Sequence, residues 1–215
     1  ARAEAGRLVR AAGGRSRVVT GAEATERFLK ETDLDGFGMV HLAAHAVVDH
    51  DHPDRSAVVL TPGSDDEDGF LQPREIVDLD LTDRVVIVSA CRSASGTVLR
   101  GEGVLGLSRA FFQAGARAVV GNLWPMRDDA AEALVTELSR RLADGSSLSS
   151  ALAGAREARF EAGAPATAWA GLIILGDGDF VPFPGGTGGR RSFWVAILIG
   201  AVLLVCLAAW ALRRK

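Results

Sequence analysis

Cys91 and His45 are the two residues whose types and placement could together do chemistry. A free thiol titrates near pH ~8.5, so little of it is thiolate at neutral pH unless a base stands close by. A neighbouring imidazole can take the thiol proton and later return it to a leaving amine. Both residues close strand-like stretches. Arg84-Val85-Val86-Ile87-Val88-Ser89-Ala90-Cys91 carries four β-branched residues in succession, the composition of a strand covered on both faces inside a parallel sheet. Gly38-Met39-Val40-His41-Leu42-Ala43-Ala44-His45-Ala46 reads as a second strand that ends on its histidine. In open α/β sheets chemistry gathers beyond the carboxyl ends of the strands. The two strand ends therefore predict a thiol nucleophile and its base. Taken alone, a cysteine at a strand end is more often a small buried hydrophobe.

Other titratable groups make weaker constellations. His41, four positions before His45, is expected to be a hydrogen-bonded core histidine. His50 and His52 alternate with Asp49 and Asp51, but nothing else completes a ligand set, so an exposed polar loop is expected there and no metal. The acidic run 65–68 lacks a glutamate at the twelfth position of a calcium loop. Gly106-Leu107-Ser108-Arg109-Ala110 has a faint serine-hydrolase look, yet it falls inside a helical pattern instead of following a strand.

The elements that must position Cys91 and His45 alternate in type. Short strands are expected at Arg17–Thr20, 57–60, 70–71, 117–122 and 169–175, the pair 57–60 and 70–71 forming a hairpin. Helices are expected at 1–12, 24–31, 73–76, 103–114, 130–143 and 147–162, with Asp128 or Asp129 as a cap for the fifth. Strands alternating with helices favour a mostly parallel sheet covered on both faces. The 215 residues suffice for one substantial core. A net charge of -3 with no basic stripe argues against nucleic acid, and two distant cysteines exclude a disulfide framework. No cofactor motif is present in the pattern. The chain opens at Ala1 in helical pattern, as if it were the C-terminal piece of something longer.

Residues 182–192 read as a Pro/Gly linker. Beyond it, 193–212 is an uncharged apolar run of 20 residues, enough for one helix across the roughly 30 Å hydrocarbon core of a bilayer. Basic residues flank it, including a tail at 213–215, and Trp194 and Trp210 stand near its ends. A single-pass membrane protein is expected. The unpaired Cys91 and the short tail place its globular part on the cytoplasmic side.

Seven stretches carry a resemblance to a known family: HLAAHAVVDHD, SAVVLTP, FLQPREI, VIVSACRSASG, GEGVLGLSRAFFQAGARAVVGNLWPMRD, SSALAGAREA and WAGLIILGD. In this order they resemble the CHAT domain, a caspase-like peptidase module often found after tetratricopeptide repeats, over roughly residues 17–180. The block 101–128 is the most specific. The resemblance implies a caspase-like three-layer α/β/α sandwich over 1–181, to which the apolar run adds the C-terminal transmembrane helix, and His45 and Cys91 as a catalytic dyad. Their separation of 46 positions agrees with the ~50 residues between the histidine and the Ala-Cys-Arg type of motif in caspases. It also implies an oxyanion hole made by the backbone N–H groups of residue 46 and Cys91. The family usually has glycine after the histidine; here it is Ala46, whose Cβ would be strained if the turn needed positive φ. Glu102 and Asp128 are candidates for an acidic substrate pocket, with helix capping as the competing role. The expected activity is a membrane-anchored cysteine endopeptidase acting on a protein or peptide substrate. A tetratricopeptide-repeat region in cis is its expected sensor. The alternative is an inactive caspase-like module that binds partners, and metal-dependent hydrolysis by the His50/His52 loop is a distant third.

Overall fold

The computed structural model describes residues 16–47, 49, 52–63, 67–89 and 103–186. Its centre is the apolar run read above as a buried strand. Strand β5 (Val85–Val88) is buried at every position. It lies between β1 (Met39–Leu42) and β6 (Ala118–Asn122), parallel to both. The sheet is completed by β7 (Leu172–Gly176), which runs antiparallel to β6, so the order is β1-β5-β6-β7. A strand flanked by two neighbours and covered above and below has no polar face to alternate with. That is why the run is continuous Val and Ile.

Alternate residues of the sheet feed two separate cores. Val86, Val88 and Val119 point into one, with Leu29 of α1 (Glu26–Glu31), Ile76 of α2 (Pro73–Ile76) and Leu107 and Phe111 of α3 (Gly103–Gln113). Val85, Ile87, Ala118 and Val120 point into the other, with Leu134, Leu138 and Leu142 of α4 (Asp128–Ala143) and Leu148 and Leu152 of α5 (Leu148–Glu161). The result is a mixed α/β fold with a mostly parallel sheet between helical layers. Helix α3 stops at Gly115, whose φ of +97° closes the helix and whose hydrogen leaves room for Thr82. The tail of the described chain stays on the domain, with Phe180 and Phe183 packed against the second core.

A second, three-stranded antiparallel sheet sits on the first core. It comprises β2 (His45–Val47), β3 (Ala57–Val59) and β4 (Phe70–Leu71), in the order β2-β3-β4. Val58 and Leu71 anchor it to the helices. The hairpin expected from 57–60 and 70–71 is present as β3 and β4.

Three expectations change. Residues 16–20 form no strand. They lead into a hook in which Thr61 N–H donates to Ala24 O at 2.9 Å and the Thr61 hydroxyl to Gly21 O at 2.8 Å. The last strand begins at Leu172 instead of 169, because the short 3-10 turn Ala166–Ala168 and the turn after it occupy the preceding residues. The third change concerns the membrane. No helix among the described residues is long and apolar enough to cross a bilayer, and this overturns the expected transmembrane helix together with the membrane and cytoplasmic location drawn from it. Residues 193–212, on which the expectation rested, lie outside the described residues, as does the helix expected at 1–12.

Candidate active site

The His-bearing stretch is not one strand. β1 ends at Leu42, where the Ser89 amide donates to the Leu42 carbonyl at 3.1 Å and closes the parallel ladder. The chain then bends through Ala43 and Ala44 and enters the second sheet, where His45 pairs with Val59 and Ala46 with Val58. Two small residues let the backbone turn the corner between sheets without a side chain in the way. His45 is exposed, and Ala46 is half-buried against the first core. Among the described residues Asp83 is the one non-glycine with positive φ. Ala46 is therefore extended, and its Cβ brings no left-handed strain. The cost attached to replacing glycine at this position does not arise.

The two parallel strands fix a register. Leu42 is the partner of Val88. Counting forward from this pair, His45 is three positions on along one chain and Cys91 three along the other. Cys91 itself, with Glu102, lies outside the described residues.

Beneath this edge a polar row interrupts the apolar face. His41 Nε2 lies 2.8 Å from Ser89 Oγ, linking β1 to the end of β5. Burial holds the His41 imidazole at a pKa of about 4, well below its ordinary 6.5, so it is neutral at pH 7. Asn122, at the end of β6, is the next residue of this row, because Gly121 is the register partner of Val88. Its Oδ1 is buried and accepts no hydrogen bond among the described residues. His41 was legible as a core histidine from its place within a strand. Ser89 and Asn122 carry no comparable signal, since single polar residues at strand ends are common.

Asp128 is exposed in the first turn of α4. It does not cap that helix: the N-cap is Arg127, with no side-chain cap bond, and it is Asp129 that accepts from the Ala130 amide at 3.0 Å. Asp129 also pairs with Arg127 at 3.1 Å, and this guanidinium holds its carboxyl below the usual range. Trp124, two residues past β6, is exposed and donates from Nε1 to Thr167 O at 3.2 Å. In the polar loop, Asp49 Oδ1 accepts from the His52 amide at 2.8 Å, and the Ser56 hydroxyl accepts from the Asp49 amide at 3.1 Å. These bonds shape a turn. Among the described residues no cluster of three or more His, Cys, Asp or Glu side chains could hold a metal ion, and His50 and Asp51 lie outside them.

A mostly parallel α/β sheet with two strand ends presented at its carboxyl edge defines the class. The particular family follows from its sequence: the CHAT domain family matches residues 1–177, and the chain belongs to it. A stretch of 109 residues is 31% identical to tetratricopeptide repeat protein 28 of Mus musculus, covering 50% of this chain and 4% of that protein. The Homo sapiens protein of the same name is 29% identical over 109 residues, with the same shares. The chain thus spans only 4% of the length of these relatives. Among solved structures, the Saccharomyces cerevisiae separase–securin complex is 23% identical over 50% of this chain and 7% of that chain. Its TM-score of 0.37 is too low to bear on the chemistry.

Proposed function

We propose that the chain is a caspase-like cysteine endopeptidase module, cleaving a protein or peptide substrate with Cys91 as nucleophile and His45 as base. The observation that supports this reading is the Leu42–Val88 register at the carboxyl ends of two adjacent parallel strands, with His45 three positions after Leu42 and Cys91 three positions after Val88 in the sequence. In this reading the Cys91 thiol gives its proton to His45 and its sulfur attacks the scissile carbonyl carbon. The amine leaves with the proton from the imidazolium, and water then hydrolyses the thioester. The N–H groups of Ala46 and Cys91 would face the developing oxyanion, and the extended backbone at Ala46 is compatible with that use. Asp128, exposed at the start of α4, and Glu102 would make a substrate pocket that favours a basic side chain. The tetratricopeptide-repeat relatives support a repeat region in the same polypeptide as the controlling element.

A thiol-reactive peptide probe tests the reading against a binding-only module. Covalent labelling mapped to Cys91, lost in His45→Ala, is the expected result. Labelling of wild type and His45→Ala at the same rate rules out the dyad and leaves the partner-binding module.

A further inference from the structure

His41 and Ser89 form a part-buried polar pair that the proposed chemistry does not use. The imidazole comes four positions before His45, and the hydroxyl two positions before Cys91. The 2.8 Å bond between them therefore ties together the two strands that lead to the proposed dyad. Ser89 is held twice, since its amide also donates to Leu42 O at 3.1 Å. The surrounding face is Val85, Ile87, Ala118 and Val120. Two apolar side chains would fill such a place without the desolvation cost that a polar pair carries. What apolar packing cannot supply is direction. A hydrogen bond has a preferred distance and angle, and a chain end held by both backbone and side chain has little freedom left.

We propose that His41 is a positioning residue for the thiol site: through Ser89 it fixes the end of β5, two positions before Cys91 in the sequence. This rests on the reading of Cys91 as nucleophile and His45 as base. A neutral imidazole is suited to the task, because it can donate or accept toward Ser89 without placing a charge beside the base. Misplacement of a reacting group by about 1 Å can cost on the order of a hundredfold in rate, so a small shift at Ser89 is enough to matter.

The test is the rate of Cys91 alkylation by iodoacetamide as a function of pH, followed by peptide mapping in a Cys206→Ser background. Wild type is expected to react with a midpoint below that of an ordinary thiol at pH ~8.5. His41→Phe removes the bond while keeping an aromatic ring. It is expected to slow alkylation at pH 7 about tenfold and to move the midpoint toward the ordinary value. His41→Gln, which can reach Ser89 with an amide, is expected to restore most of the rate. A merely structural role would lower thermal stability without moving the midpoint. Should His41→Phe not fold, Ser89→Ala removes the same bond by deleting one oxygen and is expected to shift the midpoint in the same direction. An unshifted midpoint in whichever of the two variants folds overturns the proposal. His45→Ala separates the two ideas. If it leaves alkylation unchanged, the dyad fails; if it slows alkylation while His41→Phe or Ser89→Ala does not, only the positioning role fails.

Discussion

The indole of Trp124 lies so close to Gly171 that a β-carbon built on that glycine would stand 2.6 Å from the ring. The contact joins the end of β6 to the start of β7, where Leu123 N–H also donates to Gly171 O at 2.8 Å. Trp124 thereby holds its place on the same edge of the sheet as Leu42 and Val88. Gly171→Ala is expected to push the indole outward and break its bond to Thr167. The cost should be about 1–3 kcal/mol, as for other overpacked sites. The readout is a red-shifted tryptophan emission that disappears from the difference spectrum in a Trp124→Phe background. An unshifted spectrum would show that the ring is held from elsewhere.

Acid should weaken the fold through His41. Its pKa is lowered in the folded state, from 6.5 to about 4. Between these values the unfolded chain binds a proton that the native state refuses, so stability rises with pH across the window. The contribution is complete above pH 6.5 and is lost as pH falls toward 4, reaching roughly 3 kcal/mol. Carboxylates with lowered pKa, such as Glu137 beside Arg140, lose stability in the same direction. The His41 share is therefore read from a difference. Urea unfolding at pH 7 and pH 4.5 should show a smaller acid loss in His41→Gln than in wild type.

Ile87 is fully buried in the middle of the central strand. Ile87→Ala is expected to destabilise by about 2–5 kcal/mol, the transfer and cavity cost of such truncations. Ile87→Val should cost only about 1 kcal/mol. Equal midpoints of urea unfolding for the two variants would contradict the packing described.

Glu26 is buried, and both of its side-chain oxygens have partners. It accepts from the Gly69 amide at 2.7 Å and from Lys30 Nζ at 2.9 Å, while Lys30 also reaches Glu75 at 3.0 Å. Glu26→Ala leaves the Gly69 N–H without its acceptor, at a cost of about 1–3 kcal/mol. Hydrogen exchange at Gly69 should accelerate in this variant. Protection equal to wild type would mean that the β3–β4 turn does not depend on the carboxylate.

The core of the fold was legible because its signals are dense. The run Val85–Val88 admits few readings other than a buried strand, and the stripe Leu134, Leu138, Leu142 has helical spacing and is buried as that spacing implies. The path of the chain was harder to read. Nothing in Leu42-Ala43-Ala44-His45 marks a change of sheet, since alternation looks the same on both sides of the corner. The direction of β7 was equally hidden, because an edge strand of either direction has the same composition. Arg17–Thr20 looked like a strand by content but pairs with no strand among the described residues. For the site, residue types and spacing pointed to Cys91 and His45 as candidates, whereas the His41–Ser89 bond depends on a register that sequence does not display. The apolar run 193–212 met a hydropathy criterion, but a hydropathy run alone does not establish a spanning helix, and no described helix is of that kind.

The bend at Ala43 and Ala44 assigns His45 to a different mechanical body from the strand that precedes it. The histidine takes its bearing from Val59 and the hairpin behind it, whereas the chain toward Cys91 takes its own from the large sheet. Their alignment is thus a matter of how two sheets dock, through Val58 and Leu71 on the shared core. Sequence drift in the turn between β3 and β4, far from either residue along the chain, would be transmitted as a tilt of the imidazole. A domain built this way can change the bearing of His45 while its large sheet remains intact, and restore it by repacking the hairpin alone.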